Sequence, residues 1–202
     1  MGAQQIRKVK TLVDIREHVL YCGVTMTGKT TLARHHARIL DRANYRIAVY
    51  DPVGTETAGG GWPERAEMLA SPEEFSEFIE KQSGEPERPV FLFVDESADI
   101  FGHGETWSHW IPRKCRHRDI YLRMIVQRPK MLHPSVRTQC AIAYMLRLSK
   151  DDARMLAADF GHSADVADMP LDKGDCLLLQ SGTTEIEEFN VFDLVDSRGG
   201  RG

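Results

Sequence analysis

Residues 18 to 36 read HVLYCGVTMTGKTTLARHH. A short apolar stretch runs into Gly23. A loop of small residues ends in Gly28 and Lys29, two threonines follow, and a helical pattern begins. Gly23, Gly28, Lys29 and Thr30 fit GxxxxGK[ST], the Walker A pattern. Its physical purpose is concentrated positive potential without steric bulk. Glycines let the backbone curl so that several N–H groups point inward, and the helix that follows adds the positive end of its dipole. The pattern therefore predicts a cradle for a nucleotide triphosphate built from Gly23, Val24, Thr25, Met26, Thr27, Gly28, Lys29, Thr30 and Thr31. Lys29 is expected to reach the β and γ phosphates, and the Thr30 hydroxyl to enter a magnesium shell. ATP and Mg2+ are the expected ligands.

The rest of the chain alternates between two periods. HVLYCG, YRIAVYDP, RPVFLFVDES, DIYLRMIVQRP and AIAYMLRL read as strands. KTTLARHHARILDRA, SPEEFSEFIEKQSG and SKDDARMLAADFG carry helical spacing. Ser71 and Ser149 stand as caps, Glu74 is placed to complete a capping box, and Gly84 and Gly161 stand as stops. VGTETAGGGWPERA reads as loop. GDCLLLQ and TEIEEFNVFDL flank SGT as a terminal hairpin. The expected fold is α/β: a mostly parallel sheet flanked by helices on both faces, closed by a C-terminal β-hairpin. One domain is expected over residues 1–195, followed by a flexible tail over 196–202.

PVFLFVDES supplies a second half-site. An apolar strand ending in Asp95 matches Walker B, and its carboxylate is expected to bind the magnesium. Glu96, next to it, is placed to orient and partly deprotonate an attacking water. Many P-loop kinases and GTPases work without that adjacent glutamate. The additional-strand, catalytic-glutamate (RecA-like) class carries it, with a polar sensor at the tip of the following strand. Here that strand ends in Gln127.

Composition narrows the partners. Net charge is −4, so the chain as a whole is not a polycation that coats nucleic acid, and any such contact must be local. Cys22, Cys115, Cys140 and Cys176 are widely spaced, which argues against a zinc site or a disulfide framework and fits a reducing compartment. With no apolar run of membrane-spanning length, a soluble, cytoplasmic protein is expected.

RHRDIYLRMIVQRPKMLHPSVRTQCAIAYMLRLSKDDARML gives a recognisable shape. A basic helix, a strand, QRP, a return to a strand and a helix opening on SK-D resemble the FtsK–HerA superfamily of DNA-pumping ATPases. VYDPVGTE resembles the DP-GE stretch of HerA-type members, and LDKGDCLLLQ their late strand. The likeness runs from about Leu20 to Gln180. The chain is expected to lack the membrane region, winged helix and N-terminal barrel of larger members. What remains is similar to the genome-packaging ATPases of tailless viruses with an internal membrane. The resemblance implies ATP hydrolysis coupled to translocation of double-stranded DNA by a homo-oligomeric ring, a hexamer first among the options. It further implies a capsid vertex or membrane protein as anchor, and action in the host cytoplasm or in association with the virion. Rival readings are an ATPase driving virion assembly or secretion, a small-molecule kinase, and a switch that barely hydrolyses.

Seven Lys and Arg residues lie between Arg113 and Lys130. They read as an arginine finger for a neighbouring subunit, as a patch facing DNA phosphates, or as a solvated helix face. The family pattern points to Arg116 as the finger, with Arg113 and Arg118 as alternates. Arg128 is placed to brace the sensor loop. Trp107 and Trp110 read as packing residues, Arg65 as part of a loop, and His103 and His109 have no convincing metal partners.

Overall fold

The computed structural model describes residues 13–52, 61–82, 88–103 and 110–196. Eight strands form one sheet: β1 (His18–Cys22), β2 (Arg46–Tyr50), β3 (Glu67–Leu69), β4 (Val90–Val94), β5 (Ile120–Val126), β6 (Cys140–Met145), β7 (Asp175–Gln180) and β8 (Ile186–Asn190). Their order is β3-β2-β4-β5-β1-β6-β7-β8. The strands from β3 to β6 pair in parallel, while β7 and β8 join antiparallel at one edge.

The parallel strands lack polar alternation because both faces are covered. All of VFLFV in β4 and all of IYLRMIV in β5 is buried. Alternate residues feed two cores. Leu20, Leu92, Val94, Leu122 and Met124 face one side with Phe75 and Leu156. Val19, Tyr21, Phe91, Phe93 and Ile125 face the other with Leu32, Ala33 and Leu40. Helix α1 (Lys29–Arg42) therefore covers one face, and α2 (Pro72–Lys81) and α6 (Lys150–Asp159) cover the other. Between them come α3 (Ala98–Phe101), α4 (Ile111–Arg116) and α5 (Pro134–Arg137).

The caps act as expected, with one shift. Ser71 accepts the Glu74 N–H at 3.2 Å, but the Glu74 carboxylate takes the Ala70 N–H at 2.7 Å, one residue before the reciprocal box partner. Ser149 accepts the Asp152 N–H at 3.2 Å. The proposed stop at Gly84 lies outside the described residues, and α2 closes at Gln82.

Two parts depart from the sequence reading. The terminal strand expected through Leu194 ends at Asn190, and Val191–Asp196 form helix α7. Val191 and Leu194 are buried against the α1 face, so helical spacing serves packing there better than strand alternation. Directly after the stretch read as loop, where the sequence reading assigned no element, β3 adds a three-residue edge strand beside β2. All four cysteines are buried and free, and burial pushes their thiols up, as expected of small core residues. Among the described residues no helix is long and apolar enough to cross a membrane.

Candidate active site

The strand order builds the site. Strand β5 lies between β1 and β4 and pairs in parallel with both. Three carboxyl-terminal strand ends, Cys22, Val94 and Val126, thus open on one edge. The phosphate loop leaves β1 there. Gly23 N–H bonds Val126 C=O at 3.3 Å, and Val24 N–H bonds Arg147 C=O at 2.9 Å. The loop is hooked to both neighbours of β1 before α1 begins.

Within the loop, Thr27 Oγ1 donates to Val24 C=O at 2.8 Å and Lys29 Nζ donates to the same carbonyl at 3.1 Å. Gly28 has φ +111, a backbone that only glycine adopts without strain, and it caps α1. Gly23 is needed for a different reason. A Cβ there would stand 2.8 Å from Thr27 Oγ1 and 2.9 Å from Leu146 Cβ. Overpacking of this kind costs about 1–3 kcal/mol. Gly23→Ala is therefore expected to weaken binding of a fluorescent ATP analogue roughly tenfold or more. An unchanged titration curve would contradict the packing argument.

A cavity of about 140 Å3 joins the two motifs, lined by Thr25, Lys29, Thr30, Asp95, Glu96 and Gln127 among others. Thr30 Oγ1 lies 3.5 Å from Asp95 Oδ2. Gln127 Nε2 donates to Glu96 Oε1 at 3.1 Å. Asp95, Glu96 and Gln127 therefore meet Lys29 and Thr30 in one place. Val24, Met26, Thr27 and Thr31 complete the loop and the first turn of α1; Met26 is exposed and Thr27 buried.

Electrostatics mark the same place. Burial pushes the Asp95 carboxyl up to about 6. The Glu96 N–H, 3.0 Å from Asp95 Oδ1, acts against that; the Asp51 and Glu96 carboxylates reinforce it and Arg34 opposes it. Burial also lowers the Lys29 ammonium, with Asp95 and Glu96 pulling the other way. A cation held between the Thr30 hydroxyl and Asp95 would relieve the crowded negative charge. Two hard oxygen donors suit magnesium, so the residues fit that ion. Among the described residues no group of three or more His, Cys, Asp and Glu side chains could hold a metal. The ion's other ligands would come from phosphate and water.

Several features of the site were not legible in the sequence. Ser97 is fully buried, and its hydroxyl donates to Val94 C=O at 2.7 Å and lies 2.9 Å from Ile125 C=O, stapling the end of β4 to β5. Asp51, buried at the end of β2, accepts the Trp62 indole N–H at 3.2 Å and adds its charge beside Asp95. Glu96 has φ +48, a left-handed backbone that costs a non-glycine residue roughly 1–2 kcal/mol. Strain of this sort persists where surrounding contacts hold it, commonly at working sites.

The basic stretch does not form one patch. Arg123 is fully buried in β5, donating to the carbonyls of Val13, Ile15 and Glu17 and lying over the Phe91 ring at 4.8 Å. That removes it from any DNA-facing surface. Arg128 pairs with the buried Asp152 at 3.2 Å and ties the sensor loop to α6, the bracing role read for it. Arg118 donates to the carbonyls of Ile79 and Glu80, and Lys114 pairs with Glu80 and stacks on Trp110. Arg116 pairs with Glu17 at 3.0 Å and bonds Gln139 C=O. Those partners precede β1 and β6, so Arg116 sits at the edge of the sheet opposite its own phosphate loop, one β5 length or about 20 Å away. Arg113 is exposed on α4. Trp107 and His109 lie outside the described residues, and His103 Nε2 stands 3.0 Å from Lys130 C=O. Arg65 is tied to Asp41 at 3.0 Å. A larger cleft of about 570 Å3, which Arg16, Arg46, Arg65 and Arg88 help to line, lies at that opposite edge too.

The fold and site together define a P-loop NTPase of the additional-strand class. The sheet order places a strand between the Walker A and Walker B strands, and the glutamate follows the Walker B aspartate. No protein-family model matches the chain, and no curated protein matches it in sequence. Solved structures do match in fold. The genome packaging NTPase B204 from Sulfolobus turreted icosahedral virus 2, in complex with AMPPCP, superposes with a TM-score of 0.71 at 17% identity, over 86% of this chain and 97% of that one. The pCW3 conjugation coupling protein TcpA gives 0.65 at 14% identity, over 91% of this chain and 65% of that one. The cytoplasmic domain of the Thermomonospora curvata type VII secretion ATPase EccC gives 0.61 at 16% identity, over 92% and 28%. At these identities the likeness establishes a shared fold.

Proposed function

We infer that the chain is an ATP-hydrolysing motor that translocates double-stranded DNA, and that its cargo is a viral genome packaged into a preformed capsid. The observation that carries the ATPase is the joining of Lys29, Thr30, Asp95, Glu96 and Gln127 around one cavity. Lys29 and the loop N–H groups hold the phosphate chain. Glu96 takes the proton of the attacking water, and the Gln127 amide steers the water and the γ phosphate. Thr30 and Asp95 would hold magnesium, which would supply neutralisation of the phosphate charge.

The DNA and packaging readings rest on two supports. The motifs resemble those of DNA-pumping ATPases, and the fold is shared with a genome packaging NTPase over nearly all of that chain. The proposed homo-oligomeric ring is compatible with the position of Arg116. Its place at the far edge keeps it from its own nucleotide, so a finger role requires a neighbouring subunit's site. Arg113 and Arg118 are the alternates. The ring would work in the host cytoplasm, anchored at a capsid vertex or by a membrane protein.

ATP turnover of the assembled protein, with and without long duplex DNA, tests this. Stimulation of several-fold by duplex is the expected result, falling as salt rises because the grip is on phosphates. Turnover indifferent to DNA would favour an assembly or secretion ATPase. Turnover that rises only with a small phosphate acceptor would favour a kinase.

A further inference from the structure

Three side chains connect the phosphate loop to the general base. Thr25 Oγ1 donates to Gln127 Oε1 at 3.2 Å, and Gln127 Nε2 donates to Glu96 Oε1 at 3.1 Å. Chemistry sets the direction of this chain. An ionised carboxylate only accepts, so the amide must turn its NH2 toward Glu96. Its carbonyl then faces the loop and needs a donor, which the Thr25 hydroxyl supplies.

The amide's own torsion does not hold it that way round. The terminal torsion of glutamine is broad and roughly two-fold. Flipped, its oxygen would face the Glu96 carboxylate and the oxygens of a γ phosphate, all of them negative. We propose that Thr25 is a positioning residue: its hydroxyl tethers the Gln127 amide, whose NH2 Glu96 draws toward the reacting groups.

This inference rests on the ATPase reading, and the experiment separates the two. Steady-state turnover is measured on the assembled full chain for the wild type, Thr25→Val, Thr25→Ser, Gln127→Ala and the Thr25→Val/Gln127→Ala double variant. Valine keeps the shape of threonine and removes only the hydroxyl. In Thr25→Val, kcat should fall about tenfold, or about 1.4 kcal/mol of barrier, with KM for ATP within twofold. Thr25→Ser should recover most of the loss. In the Gln127→Ala background, Thr25→Val should do almost nothing further, because the group it orients is gone. An unchanged kcat in Thr25→Val overturns the proposal. So does the same tenfold loss with Gln127 absent, since the hydroxyl would then act only on the loop. Failure of serine to rescue overturns it too. Absence of turnover in the assembled wild type would instead remove the ATPase reading, and the positioning role with it.

Discussion

Replacing Glu96 with glutamine is expected to cut ATP turnover by about 10^2–10^4-fold, the range typical of losing a general base, while nucleotide binding stays within a few-fold. The substitution keeps the size of the side chain and still offers an oxygen to the Gln127 amide at its present 3.1 Å. Proton acceptance is what it removes. Lys29, Thr30 and the loop N–H groups, which hold the phosphates, are untouched. The left-handed backbone at position 96 remains equally strained for glutamine, so stability should change little. Turnover by single-turnover quench and binding by a fluorescent ATP analogue check the two halves separately. Turnover above a tenth of wild type would mean that another group takes the proton. Loss of binding together with turnover would mean that Glu96 supports the loop rather than the chemistry.

Acid should destabilise the protein through His18 as pH falls below about 6.5. His18 is buried at the start of β1, where the Leu122 N–H donates to Nδ1 at 3.0 Å and Nε2 lies 2.7 Å from Pro112 C=O. The first contact requires an acceptor and the second a donor, so the ring is held neutral, with its proton on Nε2. Burial lowers its pKa from 6.5 to about 3; the Pro112 carbonyl opposes this, and Arg116 and Arg123 add to it. The unfolded chain therefore binds a proton near pH 6.5 that the folded chain refuses until about pH 3. Between those values stability falls as pH falls. From pH 7 to pH 5 the loss from this group is about 2 kcal/mol. His18→Asn should be less stable than wild type at pH 7 but lack this part of the pH dependence. Urea unfolding at pH 5, 6 and 7 measures the difference between the two slopes. Parallel pH profiles would show that His18 does not refuse the proton. Other titrating groups, Asp95 included, are shared by both proteins and drop out of the comparison.

These two residues differ in how well the sequence announced them. Glu96 was legible because an acid pair at the end of an apolar strand has few other uses beside a phosphate loop. His18 reads as an ordinary polar residue at the edge of a strand. Its partners, Pro112 and Leu122, lie 94 and 104 residues away, so no local pattern includes them. Arg123 is similar. In the sequence it counts with six other cations as surface charge, whereas in the fold it is a buried cross-link from β5 to the segment entering β1. A charge can be called exposed only when the surrounding strands are known. The helix at Val191–Asp196 was missed for a related reason. VFDLVD suits a strand or a helix, and packing against α1 selects the helix.

Local chemistry is legible along the chain. Glycines at positions 23 and 28, the lysine and hydroxyls after them, the Asp95–Glu96 pair and the serine caps act over a few residues, through backbone angles and short-range hydrogen bonds. Which strand stands beside which is settled over the whole fold. The insertion of β5 between β1 and β4 brings Gln127 to Glu96 across 31 residues and to Thr25 across 102. Strand order is set by the packing of two whole faces against their helices, and that is a property of the assembled sheet, which no single stretch of chain encodes.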